Sequence, residues 1–276
     1  MTMKKKSQVR KNGSVHIYRP IDADVVAKIW ALLGTFQHQN WKVPEDRTLL
    51  ANIAGKQATD AFYDIADSQL QNVQLRTLLR EPLRSTDVKK RNAAIKWVVY
   101  DWGNIPPKSE GDEDRLYKMC AELKDYGDED VKQFIVKNKI DRIASWSKVL
   151  AFADSDKYAI FDARVAMSLN ALLEEVNFKR KFFMPPSISK PLNKIFKTIR
   201  DQVNADYKGK KLSYMGYLEY TSLLNSAVEQ GFAPNVLQAE MQLFAQGRKL
   251  GNQYARKRKM TLPYPEEEQG NLQFAS

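Results

Sequence analysis

The chain has a single cysteine, Cys120, and two histidines, His16 and His38, among 276 residues. One thiol cannot close an internal disulfide, and it cannot supply a four-cysteine iron–sulfur or zinc site. The histidines have no companions suggesting metal ligation or a catalytic triad, so neither a metal nor any other cofactor is expected. No apolar run approaches the roughly 18–20 residues of a membrane span. The opening MTMKKKSQVRKNGS is basic but has no apolar core of the kind a secretory signal needs. These features lead to the expectation of a cytoplasmic monomer with no membrane partner. Glycine is also missing over a long stretch, from Gly127 to Gly209, which denies that region the usual residue for tight, left-handed turns.

What is present is a chain able to build a core, with 43% apolar and 28% charged residues. The net charge of +11 is unevenly placed. Residues 1–11 hold Lys4, Lys5, Lys6, Arg10 and Lys11 without an acid, and residues 248–259 hold six more cations without an acid. Together these two segments equal the whole surplus. A third basic stretch, Lys179 to Arg200, carries seven Lys and Arg. Cations gathered this way suit a nucleic acid, because each neutralised phosphate releases counterions; the alternative is that basic termini are solvated tails.

Periodicity is helical almost throughout. Ile21–Leu33 places Val25, Val26, Ile29, Leu32 and Leu33 on one side, and Arg47–Leu79 reads as one or two helices. Asp87 is placed to cap a helix over Val88–Trp102 that ends at Gly103. Within it, Ile95–Trp102 also fits a buried strand, since short apolar runs do not separate the two. Helices are expected at Leu116–Tyr126, Asn193–Tyr207, Tyr214–Val228 and Asn235–Lys249, with a strand signal only at Val15–Tyr18. The expected fold is all-α, a helical bundle with minor strand content. It divides into a basic disordered tail at 1–14, a helical domain at 15–250 and a C-terminal tail at 251–276.

Residues 131–173, VKQFIVKNKIDRIASWSKVLAFADSDKYAIFDARVAMSLNALL, carry the most specific pattern. Val131, Phe134 and Ile135 share one helical face, as do Trp146, Val149 and Leu150 after a turn. Asp162 then opens a third apolar pattern of Val165, Ala166, Leu169, Leu172 and Leu173. The string KVLAFADSDKYAIFDARV resembles the helix–hairpin–helix DNA glycosylase superfamily, with the hairpin at 131–153 and an aspartate-led helix at 162–175. The likeness covers about a sixth of the chain, and a phage-defence branch that excises bulky modified cytosines is one destination alongside base-excision repair.

The resemblance implies that Asp162 is catalytic, stabilising positive charge on the sugar as the base departs or activating water. It implies duplex DNA as partner, gripped through backbone amides at the hairpin. Lys139, Arg142, Ser145, Ser147, Lys148 and Arg164 are the expected DNA contacts. The usual hairpin is glycine-rich; here Asn138 or Asp141 is expected to take the left-handed conformation instead. An ungapped match puts Ala144 where lysine-dependent members keep their nucleophile, which implies a monofunctional hydrolase. Lys148 lies one turn later and reaches the site only if the match slips. A flipped base needs an aromatic pocket, and Trp97, Tyr100, Asp101, Trp102 and Trp146 are candidates, with Phe182 and Phe183 as alternatives.

Bland readings accompany each of these. Aspartate before an apolar helix is a standard N-cap, helix-spaced aromatics are commonly core, and the hairpin can be an ordinary αα-hairpin with a basic solvent side. Two other function classes fit the sequence: a non-catalytic DNA- or RNA-binding module, and a metal-dependent nuclease using Asp112, Glu113, Asp114, Asp128, Glu129 and Asp130.

Overall fold

Val26, Ile29, Trp30 and Leu33 recur at steps of three and one, and they are the buried face of helix α1 (Ala23–Leu33). The computed structural model describes residues 21–34, 43–107, 109–123, 126–138, 141–179 and 216–263, together with 181, 182, 184, 185, 194, 195 and 197. The basic segment 1–14, the strand expected at Val15–Tyr18, most of the helix expected at Asn193–Tyr207, and Lys139 and Phe183 lie outside the described residues. Among the described residues every regular element is a helix, so the fold is all-α.

Helices α2 (Thr48–Ala54) and α3 (Lys56–Tyr63) meet at Gly55, whose φ of 92° is a backbone conformation that glycine adopts at little cost and other residues rarely do. Asp67 caps α4 (Ser68–Arg84) by accepting from the Leu70 amide at 2.7 Å. Asp87 caps α5 (Val88–Lys96) by accepting from the Lys89 and Lys90 amides. The chain then continues into a π-helical segment, Trp97–Trp102. The Ile95–Trp102 run is thus helical rather than a strand, although its last turn is widened. Helix α6 (Asp112–Cys120) begins earlier and ends sooner than the periodicity suggests. Its first turn is Asp112, Glu113 and Asp114, acids that favour a helix N-terminus.

Helices α7 (Asp128–Asn138) and α8 (Ile143–Ala153) form the helical pair expected at 131–153. Among the described residues of this turn the left-handed one is Arg142, at φ 54° and ψ 27°, rather than Asn138 or Asp141. That conformation costs a non-glycine residue roughly 1–2 kcal/mol. Arg142 offsets it with a buried ion pair to Asp112 and a 3.1 Å bond to the Tyr100 hydroxyl.

Helix α8 is the centre of the molecule, with every residue from Ser145 to Ala153 buried. A helix buried on all sides must satisfy its own polar side chains inside the core. It packs mainly against α4, while α9 (Ala163–Glu175) makes its largest contact with α11 (Val236–Lys257); α10 (Gly216–Glu229) bridges α11 and α1. Helix α11 runs to Lys257, past the expected end at Lys249, because Gly251, Tyr254 and Ala255 continue its buried stripe. Residues 251–257 therefore belong to the helical body and not to a tail.

The α9–α11 approach depends on Gly247. A Cβ there would stand 2.5 Å from Cγ of Arg164 and 3.1 Å from Oγ of Ser168. Ser168 itself donates to the Leu243 carbonyl at 2.7 Å, holding the helices at that spacing. Overpacking costs about 1–3 kcal/mol, partly offset by the ~1 kcal/mol that alanine gains over glycine inside a helix. Gly247→Ala is accordingly expected to lower stability by about 1 kcal/mol, a few degrees in Tm. A thermal melt at or above the wild-type midpoint would show that Arg164 moves aside freely.

Candidate active site

Asp162 sits in extended backbone, φ −113° and ψ 179°, at the N-cap of α9. Its Oδ1 accepts from the Arg164 amide at 3.0 Å and the Val165 amide at 2.9 Å. Both bonds fall on the same oxygen of a half-buried carboxylate, so capping does not consume Oδ2.

The segment leading to Asp162 is held residue by residue. Arg84 of α4 donates to the Asp154 carboxylate at 3.2 Å. The Tyr158 hydroxyl donates to the Tyr126 carbonyl at 3.1 Å, and the Tyr217 hydroxyl from α10 donates to the Ala159 carbonyl at 3.0 Å. The Ile160 amide donates to Glu240 Oε2 of α11 at 2.8 Å, and the Phe161 amide donates to Ser147 Oγ of α8 at 3.0 Å. Five side chains from four helices and the loop itself thus fix a stretch whose own backbone bonds are those of the turn in which the Lys157 and Tyr158 amides donate to the Asp154 carbonyl. These tertiary bonds make the segment a mount for Asp162.

Beneath this mount is a group of buried charges. Glu240 and Arg76 pair at 2.8 Å and 3.2 Å, with both side chains 1% exposed. Arg76 also stands over the Phe152 ring, 5.2 Å from its centroid. Lys148 is buried on α8, its Nζ donating to the Ala144 carbonyl at 3.1 Å. Burial pushes the Lys148 amine below its ordinary range; Asp162 and Glu240 pull it back up, and Arg76 pushes it down further. Its aliphatic stem rests on Gly103, where a Cβ would stand 3.0 Å from Cδ of Lys148 and under 3 Å from the Val98 and Val99 carbonyl oxygens. The end of the π-helical segment, the middle of α8 and the start of α9 therefore converge.

The expected DNA contacts are placed differently from the surface they were expected to form. Ser145, Ser147 and Lys148 are buried, and Arg142 spends its guanidinium on Asp112 and Tyr100, with a side chain only 4% exposed. Each had looked like the solvent side of a hairpin, but α8 has no solvent side. Arg164 is half-buried, 4.0 Å over the Phe244 ring. In the aromatic set, Trp97 is core at 1% exposed. Trp146 is core as well, edge-on to Phe134 and Tyr217 and bonded to the Asp141 carbonyl at 2.8 Å. Tyr100 belongs to the Arg142 cluster. Trp102 is half-buried and edge-on to Phe152, with ring centroids 4.9 Å apart. Asp101 is exposed, its carboxyl raised chiefly by desolvation. Phe182 is buried, its backbone bonded at both ends to Asn170 of α9.

The sequence reading missed Arg76 and Glu240. Both sit on apolar helical stripes, Arg76 with Leu75, Leu79 and Leu83, and Glu240 with Val236, Leu237 and Leu243. A charge inside such a stripe is the signal that could have found them. The basic stretch 248–259 is also partly neutralised, since Lys257 pairs with Glu175 and Arg258 with Glu174.

Lys148 makes a pH-dependent contribution with a definite sign. Its folded value lies below the unfolded 10.5, so between the two the unfolded chain binds more protons and stability rises with pH. The contribution is complete above 10.5 and is lost as pH falls through the depressed value. The buried tyrosines, raised in the folded state, act oppositely above their unfolded value of 10, but they are common to wild type and variant. Wild type should therefore gain stability relative to Lys148→Met from neutral towards pH 10, measured by urea titration. Parallel curves would mean that Lys148 is solvated.

No helix among the described residues is long and apolar enough to cross a membrane. Compared with protein-family models, curated proteins and solved structures, the chain finds no match in any of the three.

Proposed function

We propose that the chain is a DNA glycosylase that hydrolyses the N-glycosidic bond of a flipped, damaged or modified base, with Asp162 as its catalytic carboxylate. The observation that carries this reading is the mount of Asp162: a carboxylate on a helix N-terminus, with one oxygen left over from capping, rigidly held above a buried charge group. A group asked only to cap a helix needs none of that support. In the reaction the C1′–N bond breaks and its electron pair leaves with the base. Positive charge develops on the sugar, facing Asp162, and a water oxygen then bonds to C1′ while its proton passes to the carboxylate or to solvent. With Ala144 at the position of the attacking lysine, the enzyme is monofunctional and needs no cofactor.

The partner is duplex DNA, drawn by the net charge of +11, and the enzyme acts as a cytoplasmic monomer. The nuclease alternative loses ground, because Asp112 is committed to Arg142 and the remaining acids sit at the first turns of α6 and α7. The non-catalytic binder leaves the anchoring of residues 158–161 without a purpose.

The test is mass spectrometry of bases released from duplexes carrying alkylated bases, oxidised bases or glucosylated hydroxymethylcytosine, with and without EDTA. Base release that survives chelation, with no borohydride-trapped adduct, is the expected result. Nicking that disappears with chelation would establish the nuclease, and DNA binding without any product would leave the binder. Efficient trapping abolished by Lys148→Met would make the enzyme bifunctional.

A further inference from the structure

We infer that Glu240 is the positioning residue for Asp162, acting through the Ile160 amide and itself held in place by Arg76. The inference rests on Asp162 being the reacting carboxylate. Four observations combine. Glu240 lies on α11, 80 residues from Ile160 in sequence, yet it accepts the Ile160 N–H at 2.8 Å inside the core. Ile160 stands two residues before Asp162, so the peptide plane that Glu240 grips is separated from the capping residue only by Phe161. Phe161 is tied in turn by its own amide to Ser147. Finally, Arg76 bonds both oxygens of Glu240, which removes the rotational freedom the carboxylate would otherwise have.

A backbone amide in a loop can be satisfied by water at the surface. Here it is satisfied by a buried carboxylate, which needs a buried guanidinium to exist there at all. Such an arrangement is an expensive way to hold a loop and an effective way to fix one position of the chain, since a charge-assisted bond is short and strongly directional. The position it fixes is where the backbone enters the cap. Reacting groups lose rate when misplaced by about 1 Å. Glu240 therefore acts on the chemistry without touching the substrate.

The test separates positioning from stability and does not need the true substrate. Two duplexes are compared, one with a cationic pyrrolidine ring as its abasic site and one with a neutral tetrahydrofuran ring. The pyrrolidine nitrogen carries its charge where C1′ becomes positive, so the ratio of the two affinities reads how well Asp162 is aimed. Wild type should prefer the cationic duplex by a factor on the order of 10², and Asp162→Asn should lose the preference. The diagnostic pair is R76M/E240Q against R76M/E240M. Both remove the buried charges together, but only the first keeps an acceptor for the Ile160 amide. The first should retain most of the preference, and the second should lose about tenfold of it while still binding the neutral duplex as wild type does. Equal preference in the two double variants and wild type overturns the role of Glu240 while leaving Asp162 intact. If wild type shows no preference, or Asp162→Asn keeps it, the glycosylase reading itself fails and this inference falls with it.

Discussion

Asp162→Asn is expected to abolish base excision, by a factor on the order of 10² or more, while leaving folding and DNA affinity close to wild type. The separation of effects follows from the geometry of the cap. Asn keeps an oxygen where Oδ1 accepts from the Arg164 and Val165 amides, and Asn and Asp rank alike as N-caps. What the substitution removes is the negative charge, which a developing oxocarbenium ion requires and a helix cap does not. Nothing else in the mount changes, because the bonds at Tyr158, Ala159, Ile160 and Phe161 involve other atoms. One side effect is expected: Asp162 is the leading charge that raises the Lys148 amine, so in the variant that amine falls further. Melting temperature, duplex binding and base release should be measured on one preparation. Excision equal to wild type would reduce Asp162 to a cap and remove the main support for the glycosylase reading.

Asp162 was legible in the sequence because its local role is written locally. An aspartate followed at steps of three and four by Val165, Ala166, Leu169, Leu172 and Leu173 marks a helix start whatever the rest of the chain does. The helical pair at 131–153 and the all-α character were legible for the same reason, as apolar residues at helical spacing carry their own period. What failed was the assignment of sides. In IASWSKVLAFA the polar residues Ser145, Ser147 and Lys148 seemed to mark a solvent face, since a single helix gives no hint that it is enclosed. Ser147 is engaged by the Phe161 amide, and Lys148 feels Arg76 and Glu240, 72 and 92 residues away in sequence; periodicity cannot report partners at that range. Arg142 was misread for a related reason. Its left-handed backbone would have suggested Asn or Gly, and only the Asp112 and Tyr100 contacts explain why an arginine is accommodated. Trp146 and Trp97 show the converse case, where aromatic residues that could have lined a pocket are used to fill the core.

The largest expected loss of stability comes from Glu240→Met alone. Arg76 and Glu240 are each 1% exposed at the side chain, so removing one partner strands the other charge without water. Breaking a buried pair from one side costs about 3–5 kcal/mol, and the Ile160 amide, left without its acceptor, adds roughly 1–3 kcal/mol before relaxation. Either figure is a large share of the 5–15 kcal/mol typical of a folded domain, so Glu240→Met is expected to be marginal at physiological temperature. Removing Arg76 as well should recover most of the loss, because methionine at both positions fills similar volume and keeps a contact with Phe152. The double variant R76M/E240M then retains only the cost of the unpaired Ile160 amide, and R76M/E240Q should relieve that too. The expected order of urea midpoints is therefore Glu240→Met lowest, R76M/E240M next, and R76M/E240Q near wild type. A single variant within about 1 kcal/mol of wild type, inside the range of an exposed ion pair, would show that water reaches the pair. In that case the α4–α11 contact would not be the dry centre on which the positioning of Asp162 depends.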